Sequence, residues 1–287
     1  MGLIGATSIV ACGMESDPIE PRASLGSQSS AAAAGPTIYA LTTSDRLVRF
    51  QASDPCTVSL PVPITGLSAN ETVLGIDFRP ATGGLYALGS SSRIYTIDVN
   101  SGVATAVGSA PFSPLLNGES FGFDFNPTVD RIRVVSNTGQ NLRLNPVTGG
   151  LASEDKMLAY RETDANVGAT PTVIAAAYTN PDNDPATGTV LYDIDRKLGI
   201  LTTQNPPNDG TLNTVGTLGV KFNELAGFDI APGGAAYAVL KATGNAQPKH
   251  TCGNSDLYTI DLSTGGATRT GSVGTSQPIK GIAAPAP

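Results

Sequence analysis

The sequence predicts an all-β protein: a five-bladed β-propeller of four-stranded antiparallel blades, its ring closed by a C-terminal strand that completes the N-terminal blade. Three observations carry this expectation: a motif recurring at blade-length intervals, a chain that opens and closes in mid-repeat, and one turn pattern used repeatedly. The motif reads GIDFRPATGGLYALGSSSRIYTIDVNSGVATAVGS from Gly75 and GFDFNPTVDRIRVVSNTGQNLRLNPVTGG from Gly122. From Gly227 it reads GFDIAPGGAAYAVL, resuming at Asp256 as DLYTIDLSTGGATRTGSVG. A weaker copy starts near Ala176 with AAYTNP and continues as TVLYDIDRKLGILTTQ. Starts fall roughly 47–54 residues apart, and each interval holds four apolar, β-branched runs of strand length. Four strands in that span is a propeller blade.

The ends supply the closure. IYALTTSDRLVRF, near the start, matches LYALGSSSRIYTI from Leu85, so the first blade lacks its innermost strand. Lys280-Gly281-Ile282-Ala283-Ala284-Pro285 has the form of that missing strand. A C-terminal strand in this place removes an unpaired edge and locks the ring. The turns agree. Asp98–Gly102, Asn145–Gly149 and Asp261–Gly265 each begin with an Asx residue and end in Gly. An Asx side chain accepts a backbone N–H two residues on, while Gly adopts the positive φ of a bulged hairpin.

Composition fits many short strands: 40% hydrophobic and 14% charged residues, with 33 Gly and 21 Pro. Net charge is −7 and no stretch concentrates Lys or Arg, which excludes the counterion-releasing surface that nucleic-acid binding needs. No run of 18 apolar residues occurs, so no segment of that kind spans a bilayer.

At the N-terminus, the apolar stretch Leu3–Ala11 ends in Ile9-Val10-Ala11-Cys12-Gly13. This resembles the lipobox of bacterial lipoprotein signal peptides, in which the Cys is acylated and becomes the mature N-terminus. No Lys or Arg precedes the apolar stretch, as one ordinarily does in a signal peptide. Residues 13–36, rich in Pro, Ser and Ala and without periodic apolar positions, read as a disordered linker. The expected organisation is therefore a lipoprotein signal-like segment (1–12), a linker (13–36) and the propeller (37–287). Lipidation at Cys12 implies a membrane partner and the bacterial cell envelope, periplasmic or surface-exposed; secretion is the alternative.

The segments GIDFRPATGGLYAL, GESFGFDFNPTVDRIRVVSNTGQNLRLNP, LYDID and LNTVG occur in that order within residues 37–284. Together they resemble a group of exported bacterial proteins known only as a domain of unknown function. The resemblance implies export and a propeller-like fold, and it brings no activity and no catalytic residues.

Candidate chemistry gathers where innermost strands begin. Glu71, Glu119 and Glu224 precede the blade-opening Gly, and Asp77, Asp124 and Asp229 follow it by two; blade four breaks the series with Tyr178 and the closing strand offers Ala283. Carboxylates around a channel mouth raise one another's pKa or recruit Ca²⁺ or another divalent cation. Alternatively, each acid bonds backbone amides of the neighbouring blade and holds the ring together. Arg131 and Arg133 stand where other blades carry apolar residues and invite pairing with the Asp row or with Asp130, an anion site being the alternative. Asp182 and Asp184, in NPDNDP, offer closely spaced oxygens for Ca²⁺ or form a plain Pro/Asn/Asp turn. His250 is the single His, so a Ser-His-Asp hydrolase would have to use it, within an irregular insertion. Cys56 and Cys252 lie in blades that neighbour in a ring, and either pair as a disulfide or remain free thiols. Pairing requires the insertion to fold across the blades, because the two lie at strand ends expected on opposite faces.

The expected function is an exported, lipid-anchored binding or scaffold propeller for a protein, ion or small molecule. The alternative is a carbohydrate-active or lyase-type enzyme using carboxylates at the channel mouth. Trp is absent and aromatics are 6%, which leaves few flat rings for sugars. Two mouth carboxylates about 5–9 Å apart facing an aromatic favour the enzyme, whereas acids tied to backbone amides favour the scaffold.

Overall fold

Apolar alternation within each repeat becomes four-stranded sheets. The computed structural model describes residues 1–2, 35–182, 184–243 and 252–285; Cys12, His250 and nearly all of the 13–36 segment lie outside them. Blade two orders its strands outward as Val73–Arg79, Gly84–Gly89, Arg93–Ile97 and Ala104–Val107. Blade three uses Phe121–Asn126, Arg131–Ser136, Asn141–Leu144 and Leu151–Glu154. Blade four uses Val173–Tyr178, Leu191–Asp195, Ile200–Gln204 and Thr211–Thr217, and blade five Phe222–Ile230, Ala236–Ala242, Ser255–Ile260 and Ala267–Val273. Among the described residues there is no α-helix, only a single 3₁₀ turn at Pro207–Asp209.

Blade one is closed as the sequence predicts. Its innermost strand is Ile279–Ala283, antiparallel to Thr37–Thr42 with Tyr39 opposite Ala283 and Leu41 opposite Gly281. Arg46–Gln51 and Asp54–Val58 follow outward. Two blades add a short fifth strand: in blade one Val62–Pro63 pairs with Arg46–Gln51, and blade four gains another. Ala159–Tyr160 adds to its outer edge in parallel, opposite Thr211 and Leu212, and the Tyr160 hydroxyl donates to Asp195 at 2.7 Å.

The turn chemistry is as read. Asp98 Oδ1 accepts the N–H groups of Asn100 and Ser101 at 3.0 and 2.8 Å, and Gly102 takes φ 73°. The core is divided among the blade interfaces rather than pooled. Among the described residues five separate apolar clusters form, one of which joins Leu41 and Leu47 of blade one to Val73, Ile76 and Phe78 of blade two. Aromatic edges cross these interfaces, with ring centroids 5.2 Å apart for Tyr39–Phe78 and 5.1 Å for Tyr86–Phe125. At the axis the innermost strands pack backbone to backbone. A Cβ on Gly122 would sit 2.7 Å from the Ala176 nitrogen, and one on Gly227 2.6 Å from that of Ile282. Only glycine permits that approach.

Candidate functional site

The inward Asp of each G-x-D motif is the residue the ring brings together. Asp77, Asp124 and Asp229 are buried, and one carboxylate oxygen from each lies within 4.8 Å of the others. Each also ties its own blade to the next. Asp77 accepts the N–H of Phe78 at 2.7 Å and, across the interface, that of Phe125 at 2.8 Å. Asp124 accepts the N–H of Tyr178 at 3.1 Å. Asp229 accepts those of Ile230 at 2.6 Å and Ala284 at 2.5 Å. The links run from blade two to three, three to four, and five to one.

Their electrostatics follow from burial. Desolvation and the neighbouring Asp229 hold Asp77 well above the ordinary carboxylate range; desolvation with Asp77 and Asp229 does the same to Asp124. Desolvation pushes Asp229 up to about 6, against the pull of its two amide donors. This buried triad has the composition to hold a metal ion, and it is the sole such group among the described residues.

Blade four and the closing strand do lack the acid, but the blade-four substitution is one residue away from Tyr178. Strand register puts Ala177 opposite Tyr192 and Ala283 opposite Tyr39, as Asp77 stands opposite Tyr86 and Asp229 opposite Tyr237. Tyr178 supplies the amide that Asp124 bonds.

The three glutamates part company. Glu71 does not reach the mouth: its carboxylate accepts from Ser91 N at 3.1 Å, Ser91 Oγ at 2.6 Å and the Tyr95 hydroxyl, within its own blade. Desolvation acts to raise its pKa, and these hydrogen bonds outweigh it and hold the carboxyl below the usual range. Glu119 and Glu224 do share the axial mouth, in a cavity of about 230 Å³ with Leu74, Phe121, Ile174 and Lys280. Below it the axis narrows to about 20 Å³ between Gly75, Gly122 and Gly227.

Arg133 pairs with neither the Asp row nor Asp130. It is buried, donating to Asn141 at 2.6 Å, Asp155 at 2.7 Å, Asn208 at 2.9 Å and Tyr178 at 3.3 Å. Asp130 instead takes a two-pronged pair from Arg79 at 2.8 and 2.5 Å, and Arg131 donates to the Asp130 carbonyl at 2.8 Å. Asp182 and Asp184 form an exposed turn. Asp182 Oδ1 accepts from Asp184 N at 3.0 Å and Thr187 Oγ1 at 3.1 Å, and Asp184 Oδ1 accepts from Ala186 N at 2.9 Å.

Cys56 and Cys252 are joined by a disulfide, Cα atoms 5.8 Å apart. Cys56 does follow the third strand of blade one, but the expectation of opposite faces fails because the chain has already turned back and Cys56 lies inside the fourth, outermost strand. That strand runs alongside blade five, with Gly274 N donating to Pro55 O at 3.0 Å, while Cys252 Sγ lies 3.2 Å from Ser272 O.

Residues 46–283 match the family described as Domain of unknown function (DUF4394). The chain belongs to that family. No curated protein matches it in sequence. Among solved structures, a GH43 glycoside hydrolase engineered to display both endo-xylanase and exo-arabinofuranosidase activity superposes with TM-score 0.51 at 13% identity. The match covers 86% of this chain and 53% of the enzyme, so the chain spans about half of that protein. A structure of the nidogen/laminin complex gives TM-score 0.44 at 14% identity, covering 86% and 97% of the two chains. At such identity the hydrolase likeness speaks for the DUF4394 fold alone.

Proposed function

We propose that the protein is an exported, lipid-anchored binding propeller that presents its channel mouth to a ligand, and that its axial acids are structural rather than catalytic. The observation that carries this reading is the bonding of Asp77, Asp124 and Asp229 to backbone amides of the next blade. A catalytic pair needs one carboxyl free to move a proton and another free to attack or to activate water. The disulfide supports export, since such bonds persist in oxidising compartments. The Cys12 lipobox supports anchoring.

The deciding experiment is Asp124→Asn, assayed for melting temperature and for cleavage of a panel of aryl glycosides. A changed melting temperature with no cleavage by either form is expected, because the variant alters the charge of the triad and not a reacting group. Wild-type cleavage abolished in a variant that melts normally would establish the enzyme instead. Anchoring is read separately by fatty-acid labelling, which Cys12→Ser should abolish.

The triad favours one addition: it takes Ca²⁺ or another divalent cation as a structural ion on the axis. Three carboxylates this close cannot all ionise without a counter-charge. Calcium added after EDTA treatment should raise the melting temperature of wild type and leave Asp124→Asn nearly unmoved.

A further inference from the structure

Resting on the binding role just proposed, we infer that the axial mouth takes a small amphipathic organic cation, an alkylammonium or alkylguanidinium group. Every blade contributes to this cavity: Leu74 from blade two, Glu119 and Phe121 from three, Ile174 from four, Glu224 from five and Lys280 from the closing strand. Its floor is apolar and its rim carries the charge. Lys280 does not cancel the acids, because its ammonium is held by Asp45 at 2.8 Å. Glu224 is engaged by Arg196 at 3.2 Å yet its side chain stays 56% exposed, and Glu119 has no ion-pair partner among the described residues.

Size and chemistry then select the ligand. The cavity of about 230 Å³ holds roughly seven water-sized groups. The neck of about 20 Å³ below it admits one, so an organic ligand stops at the mouth. A bare divalent ion is a poor fit here, since it requires six or more oxygen ligands and the floor of Leu74, Phe121 and Ile174 offers none. An alkyl chain on that floor, with its cationic head between Glu119 and Glu224, satisfies both surfaces.

The test titrates the full chain calorimetrically with n-pentylammonium, 1-pentanol and pentanoate, which share an alkyl chain and differ in charge. Pentylammonium is expected to bind, the other two at least about tenfold more weakly, with affinity falling as salt rises. The Glu119→Gln, Glu224→Gln double variant, altered at exposed positions, should melt like wild type and lose about tenfold in pentylammonium affinity. Equal binding of the three probes, no binding of pentylammonium, or undiminished binding by the variant overturns the inference. The proposed function fails on a different result, glycoside cleavage that depends on Asp124, so the two failures are distinguishable.

Discussion

Asp193 is buried in the second strand of blade four, and neither of its carboxyl oxygens has a hydrogen-bond partner among the described residues. Burial first, then the nearby Asp195, pushes its pKa up to about 8 against the pull of Arg133, whose own donors go to Asp155, Asn141 and Asn208. A folded pKa above the unfolded value of about 3.9 means that the fold binds more protons than the unfolded chain, so stability falls as pH rises between the two. Asp193→Asn removes that penalty. Its melting temperature should exceed wild type by at least about 2 °C near pH 8, with the gain shrinking toward pH 4; a gain that does not vary with pH would mean that the fold does not raise the Asp193 pKa. Glu71 makes the opposite case. Ser91 and Tyr95 hold its charged form, so Glu71→Gln should lose roughly 1–3 kcal/mol at neutral pH, fading as pH falls through the wild-type carboxyl's lowered pKa. Urea melts across pH check this. In sequence the two acids are indistinguishable from Asp77 or Glu119. What separates them is which hydroxyl or guanidinium arrives from elsewhere in the fold, and no local pattern records that.

Strands and turns were far more legible, because their signals are local and repeat. Alternating apolar residues mark strands whatever lies beside them, and the Asx–Gly turns close hairpins by contacts two to three residues apart. The closing strand could be read because Thr37–Thr42 begins in mid-repeat and Ile279–Ala283 supplies what is missing. Blade four blurred, since its inner strand VIAAAY has neither the Gly nor the Asp that marks register elsewhere. The added strand Ala159–Tyr160 has too few residues to announce itself. Two clasps hold the interface between blades five and one, and they are not equivalent. Deleting Ile279–Pro287 strips the inner partner from Thr37–Thr42, removes the amide that Asp229 bonds and opens an apolar cluster. Cooperative unfolding should be lost, or the truncated chain should aggregate. The Cys56→Ser, Cys252→Ser variant should still unfold cooperatively. Its loss is bounded by the closure of a long loop, roughly 5 kcal/mol, because the disulfide spans 196 residues but carries no strand pairing. Circular-dichroism melts of both variants compare them directly, and a truncated chain that melts like wild type would show that the ring is held by something other than its last strand.

The ring concentrates charge because five strands converge and only three of them carry an acid at the axial position. Ala177 and Ala283 fill the other two places, so Asp77, Asp124 and Asp229 face one another. Each is desolvated, and each has a pKa above its ordinary value. In the folded state the triad therefore retains protons at a pH where the unfolded chain has released them. Stability contributed by those protons is present below about pH 4 and is lost as pH rises through the folded values, of which Asp229's is about 6. A divalent cation supplies the same counter-charge without a proton, so it should matter most where the protons have gone. Without metal, the melting temperature should decline from pH 5 to pH 8; with millimolar calcium, that decline should flatten, and the calcium-induced shift should be larger at pH 8 than at pH 5. Asp124→Asn removes one charge while leaving an oxygen to accept the Tyr178 amide. It should flatten the metal-free decline and abolish most of the calcium response. If wild type declines with pH but calcium changes nothing at either end, the triad is a proton-holding clasp alone, and its carboxylates serve only to join blade to blade.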